Sequence, residues 1–298
     1  MSVSNDFQMP SDNILIQETF NSYAKINIGL NIYDKADNNY HILESLIQEI
    51  SLKDIIKITI YRTSGDIEIQ CHGIEIECEK IDNTCYAIAN HIRNQYDIKH
   101  KILIELNKKI PIGGGLGGGS GNAAATLEFL NDQLGLNMNI EHKIDICKNI
   151  GMDVPFFING GLQYAENMGE QNTPMPHLFN SYYFLLIFPQ FNISTKWAYG
   201  KINKNLPSKK KNYNLLALEE PLNWALFRND FEEIVIPRYP EIRELKEAML
   251  DSGAVYSSLS GSGSTVFGIY KTYDQAIALA KKLNHKKYQS TVTTPIYR

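Results

Sequence analysis

Gly113-Gly114-Gly115-Leu116-Gly117-Gly118-Gly119-Ser120-Gly121 runs directly into Asn122-Ala123-Ala124-Ala125-Thr126-Leu127. Seven glycines in nine positions are costly to order, because glycine loses more backbone freedom on folding than any other residue. A folded chain tolerates such a stretch where the backbone itself must approach something closely. The helix-forming alanines that follow put the loop at a helix N-terminus, where free N–H groups and the helix dipole attract anions. An apolar, β-rich run, Lys101-Ile102-Leu103-Ile104-Glu105-Leu106, precedes it. Strand, glycine loop and helix make a phosphate cradle, and the chain is read as a nucleotide binder.

Glycine-rich loops satisfy several patterns at once, and context separates them. Gly113-x-Gly115-x-x-Gly118 fits the dinucleotide fingerprint, but that motif needs a strand ending in an acid about 20 residues on. A second helix follows here instead. The Walker pattern needs Gly-Lys-Ser/Thr, whereas this loop ends Gly119-Ser120-Gly121. The protein-kinase loop is followed by a strand lysine and an HRD segment, and neither occurs. A flexible linker seldom opens an amphipathic helix, and Leu116 stands at the centre of this stretch.

The rest of the sequence sets the frame. With 298 residues, 43% hydrophobic and 21% charged, the chain has material for a large core in one big or two ordinary domains. A formal net charge of −4, with no face obviously basic by sequence, makes nucleic acid a poor partner. Cys71, Cys78, Cys85 and Cys147 form no CxxC pair, so buried free thiols of a reducing compartment are expected. Met1–Asn13 is polar, lacks the apolar region of a signal peptide and reads as a disordered lead. No apolar run reaches the ~18 residues of a membrane span. These features give a cytoplasmic expectation.

Strands are expected over 22–34, with a turn at Asp37-Asn38-Asn39, and at 42–50, 54–61, 66–72 and 101–106. Helices are expected over 84–96 behind a cap at Asp82 or Asn83, over 120–134, and over 140–150 between Asn139 and Gly151. Further on, 156–158, 162–165 and 182–188 read as strands, and the lysines of 207–212 as a solvated loop. Helices at 231–235, 241–252 and 273–283 alternate with strands at 255–258, 265–270 and 290–296. The alternation argues an α+β fold.

Pro111-Ile112-Gly113 through Ser120-Gly121-Asn122-Ala123-Ala124 closely resembles the phosphate loop of the GHMP kinases. Its long, glycine-padded form is similar to that of the members acting on a cytidine-diphosphate-linked methylerythritol. Three further segments agree in order and spacing: Ala24-Lys25-Ile26-Asn27 with Tyr40-His41, Gly151-Met152-Asp153-Val154-Pro155-Phe156-Phe157, and Leu259 through Phe267 around Ser260-Gly261-Ser262-Gly263-Ser264. The resemblance implies a two-domain fold: an N-terminal ATP-binding domain over 14–178, like domain 2 of ribosomal protein S5, and a ferredoxin-like C-terminal domain over 179–298. It also implies a kinase that moves the γ-phosphoryl group of ATP to an alcohol.

Residue roles follow from the same resemblance. Pro111, Ile112, Gly113, Gly114, Gly115, Leu116, Gly117, Gly118, Gly119, Ser120 and Gly121 would hold the ATP phosphates. Lys108 would reach the nucleotide, or else is an exposed strand-end lysine. Asn83 and Thr84 would line the adenine pocket, or else cap a helix. Asp153 would be the general base and Lys25 the cation beside it. Tyr40, His41 and Tyr199 would read the cytidine end, with core packing the alternative for Tyr199, and Asn27 would touch the acceptor. The 260–264 segment would support the site from the C-terminal domain, or else is a tight strand connection.

One position departs from the family in a way that bears on the chemistry, and Asn167-Met168-Gly169-Glu170 departs mildly from a usual glycine-initial turn. The loop ends Ser120-Gly121-Asn122 where a second hydroxyl is usual, and in related members that hydroxyl helps hold magnesium. Mg²⁺ is therefore expected to ride on ATP and water, with no certain protein ligand. Two rival readings are another GHMP small-molecule kinase and a non-catalytic ligand sensor on the same fold. The oligomeric state, monomer or homodimer, is left open.

Overall fold

The computed structural model describes residues 13–35, 41–74, 79–202, 221–284 and 288–298. Residues 1–12 of the lead, the turn at 37–39, Tyr40, Cys78 and the lysine loop lie outside the described residues.

The first sheet is built on two long strands, β1 (Ile14–Lys35) and β2 (His41–Ser64), paired antiparallel. β3 (Ile67–Gly73) leads into α1 (Thr84–Gln95) and then β4 (His100–Lys108), which runs parallel to β3. After β4 come the glycine loop and α2 (Gly118–Gln133), α3 (Ile140–Ile150) and the short α4 (Phe156–Asn159). β5 (Leu162–Glu166) and β6 (Gln171–Pro174) complete the sheet, whose order is β3-β4-β2-β5-β6 with β1 on β2.

β2 carries β1 along one edge, while its other edge is shared between two partners. Its first half pairs β5 through Ser45–Gln48, and its second half pairs β4 from Ile55 onward. β4 therefore ends opposite the middle of β2, and the glycine loop leaves the sheet at that gap. Separate strands were expected at 42–50 and 54–61. The polar Ser51 to Asp54 stretch stays extended instead because β1 pairs through it, Ser22 opposite Asp54 and Tyr23 opposite Lys53, with a bulge before Ala24 opposite Ile50.

Alternate isoleucines of β2 and β4 (Ile56, Ile58, Ile60, Ile102, Ile104) face one side and pack on Cys85, Ile88 and Ile92 of α1 and on Ala123, Leu127 and Leu130 of α2. The 156–158 run, expected as a strand, is helix α4. Pro155 already has helical φ/ψ, and Gln163 Nε2 donates to the carbonyls of Phe156 and Gly160, closing the turn. Three apolar residues carry too little periodicity to separate the two states.

The second sheet comprises β7 (Tyr183–Phe188), β8 (Tyr256–Leu259), β9 (Val266–Tyr270) and β10 (Gln289–Thr293), in the order β10-β7-β9-β8 and antiparallel throughout. Helices α5 (Thr195–Gly200), α6 (Glu232–Arg238) and α7 (Glu241–Asp251) lie between β7 and β8, and α8 (Tyr273–Asn284) between β9 and β10. Strand order 4-1-3-2 with helices at the two crossovers is the ferredoxin-like arrangement. The opposite face of β1 and β2, with Ala24, Ile26, Ile28, Leu46 and Ile50, packs on Phe184, Leu186, Phe267 and Ile269 of this sheet. Among the described residues, no helix is long and apolar enough to cross a membrane.

Cysteine burial is split rather than uniform: Cys85 and Cys147 are buried, while Cys71 is exposed at the end of β3. Burial pushes both buried thiols up to about 12. The thiolate is the reacting species. Among these three, native protein treated with iodoacetamide near pH ~8 should carry label at Cys71 alone. Cys85 and Cys147 should label only after denaturation, and peptide mapping that finds Cys85 labelled as fast as Cys71 would contradict this packing.

Candidate active site

The glycine loop lines a cavity of about 340 Å³ together with Asn83, Thr84 and Lys108. At its base, Gly118, Gly119 and Ser120 are the first residues of α2, so their N–H groups have no carbonyl in the preceding turn. Thr84 Oγ1 donates to the Gly119 carbonyl at 2.7 Å and ties the loop to α1. Asn83 caps α1, its Oδ1 accepting from Cys85 N at 3.0 Å, while it also lines the cavity. Cap and cavity wall are thus one residue. Lys108 is buried and paired with the fully buried Asp54, so it is not an exposed strand-end lysine. Asp54 also accepts from the backbone N–H of Lys109 (2.6 Å) and Ile110 (2.9 Å), which fixes where the chain turns from β4 into the loop.

The 260–264 segment meets this loop from the second sheet. Ser260 Oγ donates to the Gly115 carbonyl at 2.9 Å, and Thr265 N to the Gly114 carbonyl at 3.3 Å. A Cβ on residue 115 would sit 2.0 Å from the Ser260 carbonyl oxygen, at a φ of +76°. Only glycine fits there. Asn229 Nδ2 holds the other side by donating to the carbonyls of Leu259 (2.7 Å) and Gly261 (2.8 Å).

A second cavity, about 590 Å³, adjoins the first: Ser120 lines both. Its walls include Lys35, His41, Asp153, Thr195, Lys196 and Tyr199. Lys25 lies beneath, 5% exposed at its side chain, with its Nζ 3.5 Å from the half-exposed Asp153 carboxylate. A cation this buried requires fixed partners. Lys25 Nζ donates to Asn27 Oδ1 at 2.6 Å, Asn27 Nδ2 donates to Ser45 Oγ at 2.8 Å, and Ser45 Oγ donates to the Gly29 carbonyl at 2.8 Å. The Lys25 backbone N–H donates to the Leu116 carbonyl at 2.9 Å, joining β1 to the glycine loop. Asn27, expected on the acceptor side, lines a small cavity with Asp153 and Tyr199 and also holds Lys25. Ser45 escaped sequence reasoning, because its role depends on the register of β2 against β1 (Leu30 opposite Ser45).

The His41 and Tyr199 rings stack at 5.7 Å and 19°, and Tyr199 also meets Phe231 edge-on at 4.9 Å. Tyr199 lines the cavity and also packs on Phe231, as the core-aromatic alternative has it. Burial, and secondarily the Asp153 charge, push its hydroxyl up to about 12. His41 Nδ1 lies 3.0 Å from the Tyr33 carbonyl. A carbonyl only accepts, so Nδ1 carries a proton and the neutral ring offers Nε2 as an acceptor.

Gly121 behaves differently from its expectation. Its Cβ direction points at β1, 2.6 Å from the Tyr23 carbonyl and 3.1 Å from Ser22 Oγ, and Gly121 is absent from the lining of the loop cavity. In this backbone a hydroxyl at 121 faces the strand rather than a phosphate. Ser120 is the side-chain oxygen donor at the join of the two cavities. No cluster of three His, Cys, Asp or Glu able to hold a metal occurs among the described residues.

A loop at a helix N-terminus, a buried lysine beside a carboxylate, and a second cavity opening on both define a small-molecule kinase of the GHMP type. Residues 83–161 fit the GHMP kinases N terminal domain, and residues 203–289 fit the GHMP kinases C terminal domain. A protein of Pelodictyon phaeoclathratiforme called 4-diphosphocytidyl-2-C-methyl-D-erythritol kinase is 34% identical over 280 residues, covering 92% of this chain and 96% of its own. One of the same name from Thermodesulfovibrio yellowstonii is 37% identical over 271 residues, covering 87% and 91%. The crystal structure of a 4-(cytidine 5'-diphospho)-2C-methyl-D-erythritol kinase superposes with a TM-score of 0.77 at 25% identity, over 93% of this chain and 99% of that one. The chain belongs to the 4-diphosphocytidyl-2-C-methyl-D-erythritol kinase family of the GHMP kinases.

Two outcomes test this geometry. Ser45→Ala leaves Asn27 half-paired and Lys25 loosely held, so kcat should fall about tenfold, on the order of 1–2 kcal/mol, with both KM values unchanged. An unchanged kcat would remove Ser45 from the positioning chain. Gly121→Ser should lower stability by ~1–3 kcal/mol through overpacking, without tightening the Mg²⁺ dependence of activity. A tighter Mg²⁺ requirement at unchanged Tm would show that the side chain turns to the phosphates after all.

Proposed function

We propose that this chain uses ATP to phosphorylate the 2-hydroxyl of 4-diphosphocytidyl-2-C-methyl-D-erythritol, a step of non-mevalonate isoprenoid synthesis, with Asp153 as general base. The observation that carries the reading is the meeting of two cavities at Ser120, one walled by backbone N–H groups and the other by Asp153 over Lys25. Donor phosphates and acceptor hydroxyl then converge at one place, which is most of what phosphoryl transfer requires.

The loop N–H groups of Gly113–Gly121 and the start of α2 hold the phosphates of ATP. Asn83, Thr84 and Lys108 form the wall on which the rest of the nucleotide lies. Asp153 accepts the proton of the acceptor hydroxyl as its oxygen bonds to the γ-phosphorus, and the bond to the β-phosphate oxygen breaks to leave ADP. Lys25, with its Nζ 3.5 Å from the Asp153 carboxylate, offsets charge on the phosphoryl group in transit. Mg²⁺ carried on ATP would supply charge neutralisation, and Ser120, at the junction of the two cavities, is the side chain that would help hold it.

The cytidine end lies toward His41 and Tyr199, with Tyr40 next to His41 in sequence. Tyr199 offers a ring face, and His41 Nε2 accepts from an exocyclic amine such as that of cytosine. Tyr199 stays neutral across the working range, since its hydroxyl ionises only near 12.

Asp153→Asn should reduce kcat by about a hundredfold or more while the KM for ATP changes little. A coupled assay of ADP release with the cytidylyl acceptor measures both, and near-normal turnover would remove Asp153 from the base role.

A further inference from the structure

The acceptor cavity carries a charge pattern that the transfer chemistry does not use. Lys35 and Lys196 both line it, and both are exposed, with no ion-pair partner for either among the described residues. The carboxylate in that lining is Asp153, and it is already paired with Lys25 at 3.5 Å. Two cationic charges therefore face this cavity without an ion-pair partner among the described residues, on a chain whose formal net charge is −4. A cleft concentrates such a field on whatever enters it.

The fold puts each lysine one step from an aromatic ring. Lys35 ends β1 and is the cross-strand partner of His41 at the start of β2. Lys196 lies three residues before Tyr199 on α5, which sets both on the same face of that helix. Because His41 and Tyr199 stack on each other, the two lysines are brought to the same end of the cavity, one from strand β1 and one from helix α5. The aromatic pair suits a base and Asp153 suits a hydroxyl. A ligand spanning from one to the other must carry its linker past these lysines, and a diesterified diphosphate linker bears two negative charges.

We propose that Lys35 and Lys196 are the specificity pair that selects acceptors carrying a diphosphate between nucleoside and alcohol. This rests on the functional reading above. Lysine fits the task as a hydrated point charge on a flexible stem, able to follow a linker whose oxygens rotate. The pair acts on affinity for the acceptor, not on the transfer step.

Titration calorimetry on ADP-saturated protein, with CDP, CMP and cytidine as probes, tests the pair without requiring turnover. CDP should bind the parent roughly tenfold or more tighter than cytidine, with a strong salt dependence. The Lys35→Met/Lys196→Met double variant should lose that advantage, and Lys35→Arg/Lys196→Arg should keep most of it. In the kinase assay the Met variant should raise the KM for the cytidylyl acceptor by a similar factor, leaving kcat and the KM for ATP near the parent values. Equal binding of CDP and cytidine by the parent, or a CDP advantage that survives in the Met variant, would overturn the assignment and make these lysines merely solvated. A parent that consumes no ATP with the cytidylyl acceptor would instead sink the functional reading, and the CDP-to-cytidine ratio would still decide the lysines.

Discussion

A buried ammonium has to be surrounded by acceptors before the chain can fold around it, and the Lys25 side chain imposes that demand on four parts of the molecule. β1 contributes Asn27, β2 contributes Ser45 behind it, the turn after α3 contributes Asp153, and the glycine loop receives the Lys25 backbone N–H at Leu116. Water cannot substitute for these partners at 5% side-chain exposure. The desolvation cost is met by short, charge-assisted contacts from groups that are themselves held. The consequence for chemistry is positional. The same contacts that make the cation tolerable also set Asp153, the loop and the strand register relative to one another, so folding and assembly of the site are a single event.

The phosphate loop shows the complementary constraint, in which absence of side chains does the positioning. At residue 115 the Ser260 carbonyl occupies the space of a Cβ, and hydrogen bonds from Ser260 and Thr265 close the contact between the two sheets. The loop is thereby held from outside by α1, β1 and the second sheet, which offsets the conformational entropy that so many glycines bring. Its N–H groups stay directed at one cavity instead of sampling many arrangements.

What could be read from sequence follows the range of the interactions involved. The glycine loop at a helix N-terminus, the caps at Asn83 and Asn139, and most helices were legible because each depends on neighbours within a few residues. That Lys25 and Asp153 lie side by side was expected only through resemblance, since a lysine on a strand and an aspartate after a helix are ordinary features taken singly. Ser45, Asp54 and the Asn229 contacts were not legible. Each acts across a strand register or between sheets, and a shift of one residue would turn it to the other face. The same cause merged 42–50 and 54–61 into one strand, because the partner strand supplies hydrogen bonds through a polar stretch that alone resembles a turn.

Gly121 shows how a local motif can mislead about chemistry. Compared position by position, the loss of a hydroxyl looks like the loss of a metal ligand. In the fold, residue 121 sits one turn into α2 where the helix presses on β1, and the nearest atoms to a side chain there are the Tyr23 carbonyl, Ser22 Oγ and the Phe157 ring. Ser22 Oγ is buried without a hydrogen-bond partner among the described residues, so the contact is close without being polar-matched. Glycine lets α2 approach the strand that carries Lys25, and closeness of helix to strand is what brings the N–H groups of α2 and the Lys25–Asp153 pair to the same junction. A larger residue would separate those two halves before it could reach a phosphate. At this position packing distance, rather than ligand count, is the quantity the residue controls.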